Sequence, residues 1–75
     1  MAQNTGQRVH AQRKAKGLTQ EALARRADLS TATIQRIENG RRRPTVATLE
    51  AIAAALDVPI GALLGAAAPP TAAAS

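Results

Sequence analysis

The residues best suited to chemistry lie between Thr31 and Arg43. Helical spacing from Thr31 turns the apolar Ile34 and Ile37 to one side, and a set of small or hydrogen-bonding side chains to the other. An α-helix with such an outer face fits the major groove of DNA, where an arginine can donate two parallel hydrogen bonds to a guanine and a methyl group can pack on thymine. We therefore predict that base edges are read by Thr31, Ala32, Gln35 and Arg36, although Arg36 alternatively contacts a phosphate or solvent.

A run of three arginines, Arg41 to Arg43, follows this helix and ends at Pro44. An isolated arginine triplet is usually a solvated charged loop. Beside a helix that enters a groove, however, it lies next to the phosphates that flank the groove, so we expect phosphate contacts here. We also expect one from Gln20, because unpaired backbone N–H groups at the start of a helix attract phosphate.

Two short helices joined by a tight turn position these side chains, over residues 19–40. Thr19 and Ser30 are of the type that caps helix N-termini, and each stands just before a helical pattern. Gly40 suits the left-handed conformation that ends many helices. Helices separated by so short a turn cross steeply, which is the helix-turn-helix arrangement.

Three further helices are predicted around this pair, which makes the fold all-α with five helices. The first runs from Gly6 to Lys16, and a short last helix opens at Pro59. Another, from Val46 to Leu56, has an apolar stripe formed by Val46, Leu49, Ile52, Ala53 and Leu56. We assign residues 1–5 to a flexible N-terminus, 6–65 to the domain and 66–75 to a disordered Ala/Pro tail.

The segments GLTQEALA from Gly17, IENG ending at Gly40, and the pair Arg43-Pro44 together resemble the Cro/C1-type (XRE) repressor family over residues 5–65. The resemblance implies a compact lambda-repressor-like domain and a transcriptional repressor. One departure is Asp28, where the family usually has glycine; Asp tolerates the positive φ of such a turn.

The resemblance also assigns roles to individual residues. It implies a structural ion pair between Arg13 and Glu38. It also implies phosphate contacts from those residues of this chain that match the positions at which family members contact the DNA backbone. With the contacts expected above, the predicted phosphate set is Thr19, Gln20, Ser30, Asn39, Arg41 and Arg43. Repressors of this type dimerise on a palindromic operator. The last helix offers Ile60, Leu63 and Leu64 as the dimer surface, although these side chains alternatively pack inside one monomer.

The composition agrees with a nucleic-acid partner. Ten Lys and Arg against five Asp and Glu give a formal net charge of +5 and a sequence pI near 11.5, and so basic a chain attracts polyanions. With no cysteine and a single histidine, His10, which we place on the solvated surface, no nucleophile–base pair can be assembled. We therefore expect no enzyme activity, no cofactor and no metal site.

The alternative to a plain DNA-binding regulator is an antitoxin or other protein-interaction module of the same family, which also binds its own operator and adds a protein partner. Membrane binding is not expected, because no helix has basic residues opposite a broad apolar face. The absence of cysteine and of an apolar N-terminal run fits a cytoplasmic protein.

Overall fold

The computed structural model describes residues 4–64, which form four α-helices and one 3₁₀ helix, without a β-strand in that range. The helices are α1 (Thr5–Ala15), α2 (Gln20–Ala27), α3 (Thr31–Glu38), α4 (Val46–Leu56) and the 3₁₀ helix (Ile60–Leu63). The all-α prediction is confirmed, with the predicted fifth helix present as the 3₁₀ helix. Residues 1–3 and 65–75, which hold most of the predicted flexible N-terminus and the whole predicted tail, lie outside the described residues. No helix between residues 4 and 64 is long and apolar enough to cross a membrane.

Polar side chains fix where each α-helix begins. Thr19, Ser30 and Thr45 each accept a hydrogen bond from the backbone N–H three residues later, as expected for N-caps. α1 begins one residue earlier than predicted because Asn4 caps it: Asn4 accepts from Gln7 N at 2.8 Å, and the Gln7 side chain accepts from Asn4 N at 3.2 Å. This reciprocal pair is a capping box, so Asn4 and Thr5 belong to the folded domain rather than to a flexible arm.

The core is built from aliphatic side chains of all five helices. α2 and α3 contribute Leu23, Ile34 and Ile37, each at most 1% exposed. The remaining buried apolar side chains are Val9, Ala24, Ala27, Leu49, Ile52, Ala53, Leu56 and Leu63. Val46 was wrongly placed on the buried stripe of α4: it is the first residue of that helix, before the helix packs on the core, and is 65% exposed.

The turn between α2 and α3 has the conformation that the sequence predicted. Asp28 adopts the left-handed region with φ 60° and ψ 43°, and the backbone N–H of Leu29 then donates to the carbonyl O of Ala24 at 2.8 Å. This hydrogen bond closes the end of α2 and directs the chain into α3. Ala24, on the inner side of this corner, is 2% exposed.

Candidate nucleic-acid interface

α3 is held by its apolar side and leaves its polar side open. Ile34 and Ile37 are buried, whereas Ala32, Gln35 and Arg36 are exposed and Thr31 is half-buried. No intramolecular hydrogen bond or ion pair within residues 4–64 engages the side chains of this outer face. The predicted base-reading side chains therefore lie together on one accessible surface of the second helix of the pair.

The arginine loop is fastened to the end of α3. Gly40 takes φ 79°, and its N–H donates to the carbonyl O of Ile37 at 3.1 Å. The N–H groups of Arg41 and Arg42 both donate to the carbonyl O of Arg36, at 2.8 and 3.2 Å. These bonds fix where the loop leaves α3. Arg41, Arg42 and Arg43 are all exposed in this loop, directly after the end of the helix.

Thr19 and Ser30, which are also predicted to contact phosphate, already have intramolecular partners. The Thr19 hydroxyl accepts from the N–H of Ala22 at 3.0 Å. The Ser30 hydroxyl accepts from the N–H of Thr33 at 3.0 Å as the N-cap, and it donates its one proton to the Thr33 hydroxyl at 2.8 Å. Asn39, exposed at the end of α3, precedes the arginine loop.

The ion pair implied by the family resemblance is present in the structure. Arg13 Nε donates to Glu38 Oε2 at 2.7 Å, and Arg13 Nη2 donates to Glu38 Oε1 at 3.0 Å. A third donor of Arg13, Nη1, reaches the carbonyl O of Leu18 at 2.8 Å. The side chains are 9% and 3% exposed. The pair therefore joins α1 to the last turn of α3 and to the segment that leads into α2.

Two further side chains converge on the same carboxylate. His10 Nδ1 lies 3.0 Å from Glu38 Oε1, and Gln20 Nε2 donates to that oxygen at 3.1 Å. Burial alone would raise the pKa of Glu38, but the hydrogen bonds from Arg13, His10 and Gln20 and the positive charge of Arg13 outweigh it, so the pKa of Glu38 lies below its ordinary value. Glu38 is therefore an ionised acceptor shared by three helices.

The sequence does not predict that His10 and Gln20 contact Glu38. His10 was placed on the solvated surface, yet it contacts Glu38 while keeping about half of its side chain exposed. Its spacing of three residues from Arg13 puts both on one face of α1, which is the signal that would have indicated the contact. Gln20 was predicted only as a phosphate ligand, and nothing in its local sequence indicates a bond to the distant Glu38.

The predicted dimer surface on the 3₁₀ helix is corrected in part. Leu63 has no exposed surface because it completes the core of its own monomer, so it cannot contact a second copy. Ile60 is partly buried against the same core. Leu64 remains, with 44% of its surface exposed.

The charges of the chain are strongly asymmetric. All ten Lys and Arg precede Pro44, together with three of the five acidic residues, Glu21, Asp28 and Glu38. The two acids that follow are Glu50 and Asp57. Since Glu38 is neutralised by Arg13, the positive potential is concentrated on the elements that include α3 and its arginine loop.

An all-α fold in which two capped helices meet at a left-handed turn, with the second exposing a polar face, defines a helix-turn-helix domain. Residues 9–63 match the helix-turn-helix family HTH_3. The chain belongs to this family, whose members include the Cro/C1-type regulators.

Relatives support the assignment in sequence and in structure. The immunity repressor protein of Bacillus phage phi105 is 45% identical over 60 residues, which are 80% of this chain and 42% of that protein. The restriction-modification controller protein C.AhdI from Aeromonas hydrophila is 35% identical with a TM-score of 0.78, covering 80% of this chain and 91% of the controller. The P22 c2 repressor, crystallised with synthetic operator 9T, is 31% identical with a TM-score of 0.76, covering 83% of this chain and 94% of that one.

This chain matches only part of the length of its sequence relatives. The chain spans only 42% of the phage repressor and 53% of a transcriptional regulator from Rhodospirillum rubrum to which it is 49% identical. The shared part is thus the helix-turn-helix domain rather than the whole relative.

Proposed function

We propose that this chain is a sequence-specific transcriptional regulator, a repressor that binds double-stranded DNA through α3. The observation that carries the proposal is the accessible outer face of α3 beside the arginine loop. Ala32, Gln35 and Arg36 are exposed there, and the hydrogen bonds of Arg41 and Arg42 to Arg36 O fix the loop next to them. Relatives named as an immunity repressor and as a repressor in complex with operator support the same function.

Base recognition is assigned to the outer face of α3. The Arg36 guanidinium has the donors for O6 and N7 of guanine, and Gln35 can donate and accept on an adenine. Ala32 and the Thr31 methyl group provide apolar contact for thymine. Because α3 has only eight residues, one copy reads only a few base pairs.

Phosphate binding is assigned to residues around this face. Arg41 and Arg43 supply charge on one side of α3, and Asn39 and the start of α2, with Thr19 and Gln20, supply neutral donors. Arginines on a loop fastened to the recognition helix position that helix on the duplex without reading sequence. Ser30 joins this set only through its backbone, because its hydroxyl is used within the cap.

A homodimer bound to a roughly palindromic operator would read twice as many base pairs as one copy of α3, which raises its specificity for that operator. Two copies related by a two-fold axis present their helices to successive major grooves about 34 Å apart. Leu64, with the exposed part of Ile60, is the apolar surface on the 3₁₀ helix that remains for such a contact. The charge asymmetry favours the same arrangement, since this end of the chain is free of the cations that face DNA.

The test is selection of bound duplexes from a random library, with the wild type and with Arg36→Ala in parallel. We expect a consensus of two inverted half-sites about one helical turn apart. In the variant, preference at one symmetric position should relax, with a loss of about 1–3 kcal/mol on the best site. Failure to enrich any sequence would rule out the sequence-specific function. An equal loss on random DNA would refute base reading by Arg36.

A further inference from the structure

The contact between Gln20 and Glu38 joins the two ends of the helix-turn-helix. Gln20 is the first residue of α2 and Glu38 the last of α3, and Gln20 Nε2 donates to Glu38 Oε1 at 3.1 Å. Gln20 is half-buried, whereas the Glu38 side chain is 3% exposed. The carboxylate is therefore enclosed, while the carboxamide extends from it toward the surface.

The chemistry of the two groups fixes the orientation of the carboxamide. An ionised carboxylate only accepts hydrogen bonds, so the NH₂ group of Gln20 must face Glu38 and its carbonyl O cannot. One N–H is used in this contact. The second N–H belongs to the same planar group, so its direction is set as well. A carboxamide without the contact rotates freely and presents its carbonyl O, which repels an anion, as readily as its N–H.

We propose that Glu38 is a positioning residue for DNA binding: it holds the Gln20 carboxamide so that its second N–H donates to a phosphate at the start of α2. The proposal rests on the DNA-binding function proposed above. Arg13 has a necessary part, because an unpaired carboxylate this close to a phosphate would repel it. The bonds from Arg13 neutralise Glu38, and Glu38 Oε1 also accepts from Gln20.

The backbone around Gln20 is arranged for the same ligand. The N–H groups of Ala22 and Leu23 are used by the side chain and the carbonyl O of Thr19. The backbone N–H groups of Gln20 and Glu21, the first two residues of α2, have no acceptor within the helix. They add two donors of fixed direction beside the positioned carboxamide.

The test is a double-mutant cycle on the full chain. Arg13→Met and Glu38→Leu are made together, which removes the pair without stranding a buried charge and leaves the net charge unchanged. Gln20→Ala is then introduced into the wild type and into this background, and affinity is measured for a short random-sequence duplex, because phosphate contacts are independent of sequence. We expect Gln20→Ala to weaken binding about 10-fold in the wild type, as for one hydrogen bond to a charged group, and less than about 2-fold in the background.

Arg43→Ala is introduced into the wild type and into the Arg13→Met/Glu38→Leu background. It distinguishes a failure of the positioning proposal from a failure of the proposed DNA-binding function. It should weaken binding equally in each, because the arginine loop does not depend on Glu38. An equal cost of Gln20→Ala in both backgrounds would refute positioning by Glu38. No cost in the wild type, while Arg43→Ala still weakens binding, would overturn the Gln20 contact and leave the proposed function standing. A wild type that binds no duplex would defeat the proposed function.

A measurement without DNA tests the positioning by itself. In the free wild type, the two side-chain amide protons of Gln20 should give separate NMR signals, one of them slowed in exchange with water by its bond to Glu38. In the Arg13→Met/Glu38→Leu background the slowed signal should be lost. Identical Gln20 side-chain spectra in the two proteins would contradict the proposal even if the domain binds DNA.

Discussion

Arg13 Nε lies 2.7 Å from Glu38 Oε2, and this contact holds α1 against the end of α3, where the arginine loop begins. Both side chains are nearly excluded from water, so removal of either partner would leave the charge of the other buried and unpaired. The pair therefore adds a polar link between α1 and α3 to the packing of Ile34 and Ile37 in the core.

We expect Arg13→Ala to lower the free energy of unfolding by about 3 kcal/mol, because it leaves the Glu38 carboxylate buried without its main partner. The measurement is urea unfolding followed by circular dichroism, since the chain has no aromatic residue to serve as a fluorescence probe. Arg25→Ala, at an exposed position of α2, removes the same charge and should change stability by less than about 0.5 kcal/mol. Similar losses from the two substitutions would show that the ion pair has no special importance.

Stability should also fall in acid, because the pKa of Glu38 is lowered in the folded chain. The unfolded chain binds the proton more readily, so the stabilisation is complete above the ordinary glutamate pKa of about 4.3 and is lost as the pH falls through the lower folded value. Urea unfolding of the wild type from about pH 7 to pH 3 should reveal this loss. The Arg13→Met/Glu38→Leu variant should lose less over the same interval. Equal losses would assign the acid sensitivity to the other carboxylates.

The sequence predicted the fold where local chemistry determines it. Thr19 and Ser30 cap α2 and α3 as predicted, because an N-cap needs only a side-chain oxygen and the backbone next to it. Asp28 tolerates its positive φ for an equally local reason. Burial was harder to predict. Val46 is assigned to the apolar stripe by periodicity alone, which gives the face of a helix and not what covers that face. For Leu63 the sequence leaves both a dimer contact and the monomer core open, and the structure places it in the core.

The same distinction between local and packing-dependent features applies to the candidate site. The outer face of α3 follows from the 3.6-residue period, so the grouping of Ala32, Gln35 and Arg36 was predictable. The Arg13–Glu38 pair came only from the family resemblance, because no local rule links residues so far apart in the chain. The contact of Gln20 with Glu38 depends on how α2 and α3 pack, and neither pattern nor resemblance indicates it. The contact of His10 is indicated only by its spacing from Arg13 on α1.

Gly6 is a position where the structure allows no side chain. A Cβ at Gly6 would collide with the carbonyl O of Ile37, where α1 meets α3. Alanine normally favours a helix over glycine by up to about 1 kcal/mol, but here we expect Gly6→Ala to destabilise the domain by about 1–2 kcal/mol, because overpacking costs more. Gly61→Ala is the matched control, since a Cβ there meets nothing within 4 Å. Urea unfolding of both variants compares them, and equal stabilities would mean that α1 shifts at no cost.

Arg43→Ala should weaken binding to selected and random DNA alike. Arg43 is exposed in the loop that follows α3, and the proposed function assigns it a phosphate contact; each such contact releases about one counterion. The slope of log affinity against log salt should therefore become shallower by about one unit. Arg26→Ala removes the same charge from an exposed position of α2 outside the proposed contacts, and it should leave the slope nearly unchanged. If the two slopes change equally, Arg43 contributes only to the overall field of the protein and makes no phosphate contact of its own.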